Sequence, residues 1–82
     1  MVKVLYFASF REVLGKPQEQ LPADIHSVEE LLKRLAERGE VWQQALLNNP
    51  NLQIAVNQDM ADRQTPIRAG DEVAFFPPVT GG

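Results

Sequence analysis

The residues with chemistry to offer lie at the end of the chain, where Phe75-Phe76-Pro77-Pro78-Val79-Thr80-Gly81-Gly82 closes the sequence. The reactive atom would be the terminal carbonyl carbon of Gly82. An α-carboxyl titrates at about 3.3 to 3.7 and is ionised at neutral pH, so it is a poor electrophile. Chemistry on it requires activation, for which adenylation with ATP is the direct route. Pro77 and Pro78 cannot donate a ladder hydrogen bond and fix their own φ, so they stop a strand and hold the start of the tail extended. Val79 and Thr80 continue that stem. Gly81 and Gly82 lack Cβ and can pass a channel too narrow for any other residue. The segment from Pro77 to Gly82 reaches at most ~20 Å at roughly 3.3 Å per residue, enough to cross a pocket wall. The expected division is therefore a folded domain over 1–76 and an extended, flexible tail over 77–82.

Little else in the chain competes for a chemical role. There is no cysteine, which excludes disulfides, thiolate zinc sites and a Cys nucleophile. His26 is the sole histidine and has no second His or Cys beside it, so it reads as a surface or packing residue rather than a ligand or base. No metal site and no general acid or base set is expected. The net charge of -3 comes without any basic block, which argues against nucleic acid as a partner. No run approaches membrane-spanning length, and the start of the chain lacks the basic and apolar regions of a secretory leader, so the expected location is the cytoplasm and no membrane is involved. At 82 residues, 44% hydrophobic and 23% charged, the composition is that of one globular domain with a modest core.

The elements that must position the tail can be read from periodicity. Val2 to Ser9 alternates as a strand, with Val2, Val4 and Tyr6 on one face and Lys3, Leu5 and Phe7 on the other. Phe10, Val13 and Leu14 have helical spacing and stop at Gly15. Gln18 to Leu21, between two prolines, fits an edge strand. Ser27-Val28-Glu29-Glu30 is a capping box that opens a helix with the stripe Val28, Leu31, Leu32 and Leu35 and a stop at Gly39. A shorter helix is expected from Glu40 to Leu47 with Val41, Ala45 and Leu46 inward and Trp42 packing. Leu52, Ile54 and Val56 alternate as a strand, Asn57 to Asp59 turns the chain, and Met60 opens a short strand. Ala69-Gly70-Asp71 turns into the last strand, Glu72 to Phe76, with Val73 and Phe75 on one side and Ala74 and Phe76 on the other. The expected core is Val2, Val4, Tyr6, Leu31, Leu35, Ile54, Val56, Val73 and Phe75. The opposite sheet face would then carry Leu5, Phe7, Phe76 and Met60, a candidate partner interface; for Met60, core filling under a loop is an equal alternative.

The run Gly70-Asp71-Glu72-Val73-Ala74-Phe75-Phe76-Pro77-Pro78-Val79-Thr80-Gly81-Gly82 resembles the carboxyl-terminal signature of the molybdopterin synthase small subunits, which are ubiquitin-like sulfur carriers. Lys3-Val4-Leu5-Tyr6-Phe7-Ala8 with Arg11 and Glu12, and Ala55-Val56-Asn57-Gln58, are similar to that family as well. Between Lys16 and Asn51 the likeness rests on pattern alone. Together with the periodicity, the resemblance implies an α+β fold of the β-grasp (ubiquitin-like) type, a mixed sheet with one principal helix on one face and parallel terminal strands at its centre.

It also implies a role. Gly82 would be adenylated by a ubiquitin-activating-like enzyme that uses ATP, and a sulfur donor would convert it to a thiocarboxylate. The tail would then deliver covalent sulfur to a cyclic pyranopterin precursor in the large subunit, in a heterotetramer of two small and two large subunits, to form the molybdopterin dithiolene. No permanently bound cofactor is expected, and the chain would be a macromolecular substrate and subunit rather than a catalyst by itself. The residues leave other readings open: a sulfur carrier for thiazole or tRNA thiolation, a ubiquitin-like protein modifier, or a β-grasp interaction module with no chemistry.

Overall fold

The structure is a computed structural model that describes residues 1–78. The expectations placed on Val79, Thr80, Gly81 and Gly82 lie outside the described residues. Five strands form one mixed sheet in the order β2-β1-β5-β3-β4. Strand β1 (Val2–Tyr6) lies between β2 (Gln18–Leu21), which is antiparallel to it, and β5 (Glu72–Phe76), which is parallel. On its other side β5 pairs antiparallel with β3 (Gln53–Val56), and β3 turns back into β4 (Asp59–Ala61). The terminal strands are thus parallel and central, as the β-grasp reading requires. Because a parallel pair needs a long crossover, the helices fall between them in sequence.

Helix α2 (Val28–Ala36) is the principal one. The Ser27 hydroxyl accepts from the Glu30 N–H at 3.1 Å, and the Glu30 carboxylate reaches back one residue further than a simple capping box, accepting from the His26 N–H at 2.6 Å. Val28, Leu31, Leu32 and Leu35 are fully buried, so the whole predicted stripe lies on the sheet. Facing it are Val2, Val4, Tyr6, Ile54, Val73 and Phe75. Phe10 and Leu14 from α1 (Ser9–Leu14), together with Leu21, Ile25 and Ile67, complete the core and were not in the expected set, and Leu46 is buried there as its inward position on the second helix implied.

Several expectations are corrected. Strand β1 stops at Tyr6, short of Ser9, because Ala8 takes a positive φ of 54° and α1 begins directly after it. Val13 is exposed, since so short a helix buries only Phe10 and Leu14. The second helical segment is α3 (Glu40–Trp42) followed by a π-helical turn, Gln43–Leu47, in which the Asn48 N–H reaches the Gln43 carbonyl at 2.7 Å. There Val41 faces solvent, and Trp42 and Leu46 take the inner positions. Val56 is half-buried at the edge of the core instead of within it.

A polar network ties these elements together. The Tyr6 hydroxyl donates to Glu19 Oε2 at 2.6 Å, and both Arg38 terminal nitrogens donate to the two Glu19 oxygens at 2.7 Å. The Arg38 guanidinium stacks 4.6 Å from the centre of the Trp42 ring, whose edge meets Tyr6 at 5.7 Å. Burial would raise the Glu19 carboxyl, but hydrogen bonds from Arg38 and Tyr6 and the nearby charges of Arg38 and Lys16 outweigh it and hold the group below its ordinary value. Burial, reinforced by Glu19, pushes the Tyr6 phenol up, so it stays protonated and serves as the donor.

Candidate partner-docking face and tail exit

The side chains pointing away from α2 form three rows across the sheet, set by the strand register. The first is polar: Gln20 opposes Lys3, Lys3 opposes Glu72, and Asn57 closes the row by donating its N–H to the Glu72 carbonyl at 2.8 Å. In the second row Gln18 opposes Leu5, Leu5 opposes Ala74, Ala74 opposes Ala55, and Ala55 opposes Met60. The third holds Phe76 opposite Gln53, with Phe7 level with it where the Phe7 N–H extends the ladder to the Phe75 carbonyl at 3.1 Å. The polar row lies at the start of β5 and the aromatic row at its end. The chain leaves the sheet at the apolar end, through half-buried Pro77 and exposed Pro78.

Alternation explains why these residues share a face: strand side chains point to opposite sides in turn, so the same strand β5 that buries Val73 and Phe75 presents Ala74 and Phe76 outward. Leu5 and Phe76 are half-buried, Phe7 is 43% exposed and Met60 is 66% exposed. Met60 therefore does not fill core under a loop. The turn before it is a two-residue hairpin in which Asn57 and Gln58 both have positive φ, 51° and 71°, the geometry that matches strand twist. The register brings Leu5 and Met60 into one row and Phe7 and Phe76 into the next. Sequence reasoning placed Ala74 on the side of Phe76 but missed Ala55 beside it: the two sit side by side between the larger residues. Their small side chains at strand positions signal a low floor, but only the register shows them as neighbours.

Elsewhere the structure offers little chemistry. Among the described residues no group of His, Cys, Asp and Glu could hold a metal ion, and no helix is long and apolar enough to cross a membrane. His26 is exposed and its backbone caps α2. An open hollow of about 440 Å³ is lined by Leu52, Ile54, Ala61, Asp62, Arg63 and Gln64. Its one cation is already engaged: the Arg63 guanidinium donates to the carbonyls of Leu46, Leu47 and Asn49 at 2.8 to 3.3 Å and caps the π-helical turn.

Known proteins share this arrangement of strands and helices. The ThiS family is matched over residues 4–82. This chain belongs to the ThiS family. It is 45% identical to the molybdopterin synthase sulfur carrier subunit of Escherichia coli (strain K12), over 100% of both chains. Its fold is similar to that of SAMP1, the small archaeal modifier protein 1 of Haloferax volcanii, with a TM-score of 0.79 at 26% identity over 99% of this chain and 98% of that one. It also matches a chain in the complex of subunits 1 and 2 of the molybdopterin-converting factor from Helicobacter pylori, with a TM-score of 0.69 at 27% identity over 99% and 97% of the two chains. The β-grasp fold expected from the sequence is thereby shown, as is the resemblance to molybdopterin synthase small subunits.

Proposed function

We propose that this ThiS family chain is the sulfur carrier subunit of molybdopterin synthase. The observation that carries the reading is the exit of β5 at the apolar end of the open face, next to Phe7 and Phe76, together with likeness along the whole chain to a subunit of that name. An activating enzyme adenylates the Gly82 carboxylate at the expense of ATP, with loss of pyrophosphate. A donor of sulfide-level sulfur then displaces AMP, the C–S bond forming as the bond from the carbonyl carbon to the phosphate oxygen breaks, and leaves a thiocarboxylate. Leu5, Phe7, Met60 and Phe76 dock on the large subunit, and Pro77 to Thr80 carry Gly81 and Gly82 into its active site. There the sulfur passes to a cyclic pyranopterin precursor, toward the dithiolene, and the Gly82 C–S bond breaks as water supplies the oxygen that returns the tail as carboxylate. General acid and base groups belong to the large subunit. The prolines reduce the cost of ordering the stem, about 1 to 2 kcal/mol per residue for free backbone. The likeness to a complex of two subunits favours assembly with a large subunit, read here as a heterotetramer of two of each.

The test is at the tail. Deleting Gly82, or adding one residue after it, is expected to abolish sulfur transfer in a reaction containing the activating enzyme, ATP, a sulfur donor and the large subunit, while the melting temperature moves by less than about 2 °C. An extended variant that still supports dithiolene formation would refute the mechanism. A gain in mass confined to the Val79 to Gly82 peptide, matching exchange of oxygen for sulfur, would identify the thiocarboxylate directly.

A further inference from the structure

The chain contains two methionines and no cysteine, so its only sulfur atoms before any loading are the thioethers of Met1 and Met60. Both side chains are open to solvent, at 60% and 66% exposure. They differ in place. Met60 stands at the end of the apolar row Leu5–Ala74–Ala55–Met60, on the edge strand β4, with its backbone held in register by the neighbouring pairs Ile54↔Ala61 and Val56↔Asp59. Met1 lies before β1, where its carbonyl accepts from the Gly70 N–H, at the polar end of the sheet.

We infer that Met60 is an oxidation-sensitive contact of the docking face, where a peroxide-class oxidant acting on the free chain weakens capture of the large subunit. The inference rests on the reading of the open face as the docking surface. In the reaction one peroxide oxygen is transferred to the thioether: an S–O bond forms as the O–O bond breaks, sulfur gives up two electrons, and the other oxygen leaves as water. The product sulfoxide is polar where the thioether was apolar and adaptable. In the free chain that costs little, because the group is hydrated. Against an apolar partner the new oxygen must give up water without gaining a donor, a penalty equivalent to roughly tenfold in affinity or more. The fold is untouched, since Met60 lies outside the buried core.

The experiment titrates the large subunit by calorimetry with the full chain, reduced or treated with hydrogen peroxide, the modified sites being assigned by peptide mapping. Met60→Leu is treated in parallel and Phe76→Asp is titrated untreated. The expected result is roughly tenfold weaker binding for the peroxide-treated chain than for the reduced chain, and no further loss for treated Met60→Leu relative to untreated Met60→Leu, in which Met1 is still oxidised. Bound large subunit is expected to shield Met60 and not Met1 from the oxidant. Unchanged affinity with Met60 mapped as sulfoxide, or an equal loss in Met60→Leu, overturns the inference. The docking reading fails separately: if Phe76→Asp binds like the unaltered chain, the open face is not the surface used. If Phe76→Asp binds weakly while the sulfoxide binds normally, only the oxidation inference is lost.

Discussion

On the helix side of the sheet Val4, Val73 and Phe75 are completely buried, whereas Leu5, Ala74 and Phe76, one residue further along the same strands, keep contact with solvent. The two faces share a backbone and a register; the covered one is apolar throughout, the open one mixes an apolar and an aromatic row with polar residues, and they differ in whether the chain supplies a cover. Helix α2 covers one, and burial at about 25 cal/mol per Å² of apolar surface there supplies stability. No helix of the described residues covers the other, so the same driving force remains available for a partner. A slip of one residue would exchange the two sets. The parallel register of β1 on β5 therefore decides which set the helix covers and which set stays open.

The contrast breaks most sharply at the paired phenylalanines. Phe75→Ala opens a cavity beside Tyr6, whose ring lies 6.3 Å away, and is expected to cost about 3 to 5 kcal/mol. That is a large part of the roughly 5 to 15 kcal/mol available to a small domain, so urea unfolding should shift well toward low denaturant. Phe76→Asp is expected to change stability by only about 1 kcal/mol, while weakening binding to the large subunit by roughly thirtyfold or more, about 2 kcal/mol, in calorimetry. A Phe76→Asp chain that unfolds as readily as Phe75→Ala would show that the open face is structural after all.

The Glu19 network tests the closed face from its polar rim. Glu19→Gln leaves the Arg38 guanidinium without its charged partner and is expected to cost about 1 to 3 kcal/mol at neutral pH. The pH dependence has a defined sign. The Glu19 carboxyl is held below its ordinary value of 4.5 in the folded chain, so its contribution is complete above that value and is lost as pH falls through the lower, folded one. Thermal melts between pH 7 and pH 2 should therefore show a steeper acid limb for the unaltered chain than for Glu19→Gln. Equal limbs would mean that the ion pair contributes nothing.

How much of this the sequence disclosed depended on whether the information was local. The capping box at Ser27, the stripe on α2, the edge strand Gln18–Leu21 and the alternation of Glu72 to Phe76 all arise from spacing within a few residues, and they stand in the structure where expected. Leu5, Phe7 and Phe76 were legible for the same reason, since alternation assigns a side to each once the helix stripe is known, whereas Met60 stood between the open face and core filling until its exposure placed it. What could not be read was pairing at a distance. The adjacency of Ala55 and Ala74 depends on the β3–β5 register. The Tyr6–Glu19–Arg38 network joins residues 13 and 19 positions apart, and no local pattern marks Glu19 as different from the solvated Glu12.

Val41 marks the lower limit of the comparison. Its spacing to Ala45 suggested an inward position on an ordinary helix, but Trp42 claims that place, because its ring edge packs on Tyr6 and its face lies under Arg38. The widened turn from Gln43 to Leu47 then carries Leu46 into the core and leaves Val41 54% exposed. Val41→Ser should accordingly shift stability by no more than about 0.5 kcal/mol, whereas Leu46→Ala should cost about 2 to 5 kcal/mol. A loss above about 1 kcal/mol in Val41→Ser, measured by denaturant unfolding, would restore the inward assignment read from spacing. Unchanged binding of the large subunit by Val41→Ser, beside weak binding by Phe76→Asp, would confine the docking surface to the open face of the sheet and separate it from exposed apolar residues on the helical side.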